Sequence, residues 1–207
     1  HGMGASYEAI PGMSTVKEAI DQMPMYVVSF DADYASWYVD ATQVDSSQFT
    51  SFFFQEFIPY IDSVWRTRTD GLYRAVTGFS MGGFGALHYM LEQPELFSSV
   101  SSMSGAFDVL GEFQSPPHST FINLFGPFNE NKATYIRHGI YSRIDSMARQ
   151  NRDLPPIYLT CGTNDSWLTD NQNLRDTLSH KGFQVSYKEA AGGHNYDCLL
   201  YTSPSPR

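Results

Sequence analysis

One short stretch stands out for the chemistry its residue types can do: Gly78-Phe79-Ser80-Met81-Gly82. The pattern G-x-S-x-G fits the sharp turn that joins an apolar strand to a helix and leaves a serine hydroxyl exposed at its tip. Side chains at positions 78 and 82 would collide with neighbouring backbone in such a turn. Gly83, Gly85 and Ala86 then allow close packing of the helix on a sheet. A hydroxyl is a poor nucleophile until a base takes its proton, so a histidine must be found. Where this turn occurs, the partners follow in the chain order serine, acid, histidine. Of six histidines, His1 opens the chain, His88 lies in the helix after the turn, and His118 and His138 fall in an irregular region. His180 ends a helix, where it suits the helix dipole. His194, in Ala191-Gly192-Gly193-His194-Asn195, follows the last strand and is the candidate base. Asp165, in Cys161-Gly162-Thr163-Asn164-Asp165, follows a strand directly and is the candidate acid that orients the imidazole. Its competing reading is a helix cap. Asp153 precedes that strand, while Asp170 and Asp176 sit within the next helix. An acyl intermediate would also need donors for its oxyanion. The backbone N–H of Met81 is one, and that of Met3, in His1-Gly2-Met3-Gly4, is the candidate for the second.

The elements that must position these residues follow from periodicity. Residues 25–31, 73–79, 99–103, 157–161 and 183–189 read as strands. Residues 46–66 read as a helix, with Phe49, Phe53, Phe57, Ile61 and Val64 recurring every three or four positions and Pro59 expected to kink it. Residues 80–92 and 168–181 read as helices, the latter stopped by Gly182. Alternation of strands and helices predicts an α/β protein with a mostly parallel sheet. Residues 106–154 are poorly periodic and are expected to form an insertion over the sheet edge, not a separate domain.

Composition narrows the function classes. The 207 residues are 42% hydrophobic, 15% aromatic and 17% charged, the profile of one globular domain. A net charge of −9 argues against nucleic acid or an anionic membrane as partner. No apolar run approaches the ~18 residues of a membrane span. Two cysteines, Cys161 and Cys198, make no disulfide framework, and no cluster has metal-ligand spacing, so no metal is expected. The opening shows no charged-then-apolar leader, which tips the expectation towards the cytoplasm. Residues 198–207, Cys-Leu-Leu-Tyr-Thr-Ser-Pro-Ser-Pro-Arg, break from what precedes them and read as a translated library adapter, leaving a domain over 1–197.

With these residues assembled, the chain resembles the esterase family that includes esterase D (also called S-formylglutathione hydrolase), feruloyl and acetyl-xylan esterases, and bacterial tributyrin esterases. The likeness is carried by His1-Gly2-Met3, Ser36-Trp37-Tyr38, Phe57-Ile58-Pro59-Tyr60-Ile61, the serine turn through Gly85, Ser104-Gly105, and the segments holding Asp165 and His194. Trp37-Tyr38 and the spacing from Asp165 to His194 point to the tributyrin esterase branch. The resemblance implies an α/β-hydrolase fold, a mostly parallel sheet with helices on both faces, truncated here at both ends. It implies hydrolysis of small or short-acyl carboxylic esters without a cofactor, on a triad of Ser80, Asp165 and His194, with Met3 and Met81 as oxyanion donors. The expected partner is a small-molecule ester, with no nucleic acid or membrane. Trp37, Tyr38 and Trp167 are pocket candidates, of a type to stack on an aromatic acyl group or a sugar ring. Feruloyl, acetyl-xylan or S-formylglutathione hydrolysis are near alternatives, as is acyl transfer, because the family also holds mycolyltransferases. An amidase or a non-catalytic interaction protein are the readings of other classes. In the fold so implied, a strand upstream of His1 lies between strands 25–31 and 73–79. The chain is therefore expected not to fold alone.

Overall fold

The computed structural model describes residues 1–9, 11–112 and 116–195. The expected tail from 198 lies outside them. Among the described residues the sheet has four parallel strands in sequential order: β1 (Ala75–Phe79), β2 (Ser99–Met103), β3 (Ile157–Gly162) and β4 (Val185–Ala190). The register aligns Phe79 with Met103, Met103 with Thr160, and Gly162 with Ala190, so the strand ends that matter lie along one rim. Parallel strands need crossovers, and helices supply them. α1 (Ser14–Asp21), α2 (Phe49–Phe52) and α3 (Ile58–Val64) precede the sheet, and α4 (Met81–Glu92) joins β1 to β2. α5 (Thr120–Phe125), α6 (Phe128–His138) and α7 (Ile140–Arg149) join β2 to β3, and α8 (Leu168–His180) joins β3 to β4.

α4 is the spine of the core. Every residue from Met81 to Leu91 is buried, which accounts for its apolar composition all round and for the small Gly-Gly-Phe-Gly-Ala stretch at its start. Around it gather Phe53, stacked on Tyr89 at 4.1 Å, and Trp37, edge-on to Phe84 at 5.6 Å. α8 ends where expected: Gly182 takes φ +82° and its N–H caps the Ser179 carbonyl.

Three expectations are corrected. Residues 25–31 form no strand. Met25, Tyr26, Val27 and Val28 are about half exposed, because nothing among the described residues pairs with the outer edge of β1 and an apolar run without a ladder partner gains nothing from extension. Only Phe30 buries its ring there, 4.7 Å from that of Phe57. The helix read over 46–66 runs from 49 to 64, its Pro59 accommodated by a π-helical turn over Phe53–Phe57. Pro59 has no N–H for an ordinary helical bond, and the widened turn directly before it absorbs the mismatch. Finally, the poorly periodic region holds α5, α6 and α7. α7 buries Ile140, Tyr141, Ile144 and Met147 and packs on α4 and α8, so it lies against the helices that flank the sheet and not over the sheet edge.

Candidate active site

Ser80 sits between β1 and α4 at φ 56°, ψ −117°, a backbone conformation rare for any side chain but glycine. The flanking glycines are there for space. A Cβ on Gly78 would overlap the Gly82 carbonyl, and one on Gly82 would stand 2.8 Å from the His1 carbonyl oxygen. The turn is tied down by the Ser80 N–H, which donates to the Met103 carbonyl at 2.9 Å. The strained geometry lifts the hydroxyl off the strand end.

Asp165 and His194 come from the ends of the two far strands. The Asn164 N–H donates to Gly192 O and the Thr163 N–H to Ala190 O, both at 2.9 Å, so the loops after β3 and β4 are stitched to each other. Asp165 carries a fully enclosed carboxylate that also accepts from the Trp167 N–H at 2.8 Å. That bond closes a turn ahead of α8, whose N-cap position is Trp167, so the helix-cap reading of Asp165 is not met. His194 Nδ1 lies 3.0 and 3.1 Å from the two Asp165 oxygens, and its Nε2 lies 2.9 Å from Ser80 Oγ. Its ring stacks on Phe79 at 4.8 Å, which fixes the plane. A carboxylate accepts only, so Nδ1 donates to it and Nε2 presents its lone pair to the serine O–H. Such a row can take the proton from an attacking hydroxyl and stabilise the imidazolium that results.

The row opens on a cleft of about 360 Å³. Met3 and Met81 both line it, the latter at the first turn of α4, where backbone N–H groups have no helical partner. The Met3 segment is a turn held by Ala5 N–H to Gly2 O at 3.1 Å and Gly4 N–H to Tyr34 O at 2.9 Å. The imidazole of His1 braces it further, with Nδ1 2.9 Å from Gly2 O and Nε2 accepting from the Ala32 N–H at 2.9 Å.

Of the pocket candidates, Trp37 and Trp167 line the cleft. Tyr38 does not. Its ring packs against Gly85 of α4, and its hydroxyl donates to the His1 carbonyl at 2.9 Å, so it underpins the chain start instead of meeting a substrate. Phe79, Ala106 and His118 complete the walls, and periodicity could not single them out: Ala106 and His118 lie in the aperiodic region. A larger cavity, about 590 Å³, opens between α4, α6 and α7 and shares no lining residue with the cleft. Among the described residues no group of three histidine, cysteine or carboxylate side chains is placed to hold a metal.

The family model described as "Putative esterase" matches residues 4–199. The chain belongs to this esterase family. The esterase chain is 29% identical over 195 residues to an esterase of Mycobacterium tuberculosis, covering 83% of this chain and 42% of the relative. It is 25% identical over 170 residues to an acetyl esterase of Caldicellulosiruptor saccharolyticus, covering 78% of this chain and 63% of the relative. The chain thus spans about half the length of the curated relatives it matches. Among solved structures, the S-formylglutathione hydrolase of Staphylococcus aureus superposes with a TM-score of 0.79 at 18% identity, covering 95% of this chain and 76% of that one. The esterase chain has the α/β-hydrolase fold.

Proposed function

We propose that this chain hydrolyses small or short-acyl carboxylic esters through an acyl-enzyme on Ser80. The observation that carries the reading is the unbroken row from Asp165 through His194 to Ser80 Oγ at the mouth of a mostly apolar cleft. Family membership and the likeness to an acetyl esterase support the ester class and a short acyl group.

In the first half-reaction, Ser80 Oγ attacks the ester carbonyl carbon as its proton moves to His194 Nε2. The carbonyl oxygen becomes an oxyanion facing the Met81 and Met3 N–H groups, a contact that is worth most when the charge has developed. Collapse breaks the bond to the alkoxy oxygen, which leaves with the proton from His194. Water then repeats the sequence on the acyl-serine, with His194 again as base. Asp165 keeps the imidazole in the required tautomer throughout. A feruloyl or acetyl-xylan ester is the alternative that the partly exposed indole of Trp167 would favour, Trp37 being buried between Phe84 and Phe121; acyl transfer differs only in the second acceptor.

A fluorophosphonate probe tests the assignment directly. Covalent labelling of the wild-type chain and none of Ser80→Ala is the expected result, together with a loss in kcat of roughly 10⁴–10⁶-fold on p-nitrophenyl acetate. Labelling elsewhere, or full activity in Ser80→Ala, removes the mechanism. An interaction protein on the same scaffold would take no label at all.

A further inference from the structure

The cleft holds a second histidine for which the triad has no use. His118 lies in the segment before α5, its backbone N–H bonded to Val109 O at 2.8 Å and its ring 5.4 Å from that of Trp37. Its tautomer follows from its neighbours. The Trp37 indole N–H can only donate, and it does so to Thr120 Oγ1 at 2.7 Å. Thr120 Oγ1 also lies 2.8 Å from His118 Nδ1, and the direction of that contact is set by the backbone N–H of Thr120, which can only donate. The Thr120 backbone N–H points at the same nitrogen from 3.4 Å. Two donors converge on Nδ1, so Nδ1 is the acceptor and the ring proton resides on Nε2. Burial lowers the pKa of this imidazole, which keeps it uncharged near neutrality. Among the described residues Nε2 has no hydrogen-bond partner, and the ring is part of the cleft wall.

The rest of the wall sharpens what that N–H can meet. Among the described residues lining the cleft there is no Lys, Arg, Asp or Glu. A carboxylate, phosphate or ammonium on the substrate would lose its hydration there without a counter-ion. A neutral oxygen acceptor would not, and it would satisfy the His118 Nε2–H, which the wall leaves unmet.

Resting on the esterase reading above, we propose that His118 is a specificity-determining residue whose Nε2–H binds an acceptor oxygen on the substrate. The preferred substrates are then uncharged esters carrying an ether, hydroxyl or phenolic oxygen away from the scissile carbonyl. Plain alkyl esters fit the walls but leave the donor empty. Thr120 and Trp37 act through His118, as positioning residues that fix its tautomer.

The test is a scan in which oxygen replaces one methylene at a time. One arm uses p-nitrophenyl hexanoate and its isosteres with oxygen at the third, fourth or fifth acyl carbon; the other uses hexyl acetate and its isosteres in the alkoxy chain. Each kcat/KM is divided by the hydroxide-catalysed rate, which removes electronic activation. The expected result is a preference of about tenfold for at least one oxygen-bearing ester over its parent, the contribution of one neutral hydrogen bond. His118→Phe should abolish that ratio, and His118→Gln, which keeps a donor at a similar reach, should retain part of it. Equal normalised rates through both arms, or a ratio that survives His118→Phe, overturn the inference while leaving the esterase reading intact. No hydrolysis of any ester by a fluorophosphonate-unreactive chain would instead bring down that reading and the inference with it. An activity-independent check is the ¹⁵N spectrum of the imidazoles, assigned with His118→Gln. A proton on Nε2 is expected, and one on Nδ1 overturns the proposal.

Discussion

Two histidine–hydroxyl pairs in this molecule have almost the same geometry and opposite polarity. His194 Nε2 stands 2.9 Å from Ser80 Oγ, and His88 Nε2 stands 3.0 Å from Thr50 Oγ1. What differs is the group on the other nitrogen. Behind His194 is a carboxylate, an acceptor, so Nδ1 carries the proton and Nε2 offers a lone pair to the serine. Behind His88 is the guanidinium of Arg143, a donor at 2.9 Å, so Nδ1 holds the lone pair and Nε2 already carries the proton. His88 therefore cannot take a proton from Thr50, whose hydroxyl donates to the Tyr38 carbonyl at 3.0 Å. Burial, and secondarily the charge of Arg143, hold the His88 pKa well below the ordinary histidine value. The second pair lies beside the larger cavity, whose walls include Arg143, Glu92 and His138. There the ionic groups bind each other, as in the 2.7 Å contact of Arg143 with Glu92. Cavity size and residue type do not make a base. The third group does.

The largest effect should come from removing the base on the productive side of that comparison. His194→Ala is expected to lower kcat/KM by roughly 10⁴–10⁶-fold in ester hydrolysis. His180→Ala and His88→Gln are expected to keep catalysis within a few-fold, the second with a lower Tm. An inactive His180→Ala beside an active His194→Ala would reassign the base. Next comes the third group itself. Asp165→Asn keeps the shape but favours the wrong tautomer, and a loss on the order of 10⁴ in kcat is expected from steady-state rates. A variant within tenfold of wild type would show that the carboxylate does not set the polarity.

The smallest effect tests the buried side through pH. The His138 pKa is held down to about 4, chiefly by burial and then by Arg143 and Arg137. The unfolded chain protonates this residue near 6.5 while the folded chain does not, so the folded state loses stability as pH falls from about 6.5 towards 4. By pH 5 the loss from this one residue is about 2 kcal/mol. Burial raises the carboxyl pKa values of Glu112 and Asp170, and these oppose the trend at the acid end. Thermal melts at pH 7 and pH 5 should show a falling Tm, and His138→Gln should flatten the slope. An unchanged slope in that variant would place the proton uptake elsewhere.

Much of the site was legible because its constraints are local. The glycines around Ser80 are demanded by a turn two residues long, and Asp165 and His194 each follow directly on an apolar strand. β1 to β4 and α4 and α8 were readable for the same reason. What the sequence concealed depends on distant partners. The run at 25–31 has the composition of a strand, but a strand exists only through a neighbour, and β1 offers its outer edge to nothing among the described residues. α7 has a helical apolar stripe at 140, 141, 144 and 147, diluted in the primary sequence by the aromatic, Asn-rich stretch before it. Periodicity says nothing of what Tyr38 and His118 touch. Their roles are set by Gly85, His1 and Thr120, residues 37 or more positions away in the case of Tyr38.

The stitching of the β3 and β4 loops has a consequence for reach. Neighbouring strands lie ~4.8 Å apart, so the end of β4 is about 14 Å from the end of β1, three spacings away. An extended chain covers at most ~3.3–3.6 Å per residue, and His194 is four positions on from Ala190. The backbone and the imidazole together span the rim, and the Asn164 N–H bond to Gly192 ties the path to the loop after β3. Asp165 and His194 hang from the same pair of tied loops, so a shift of β3 and β4 against β1 would open or close the gap between His194 and Ser80, the contact through which the proposed mechanism passes its proton.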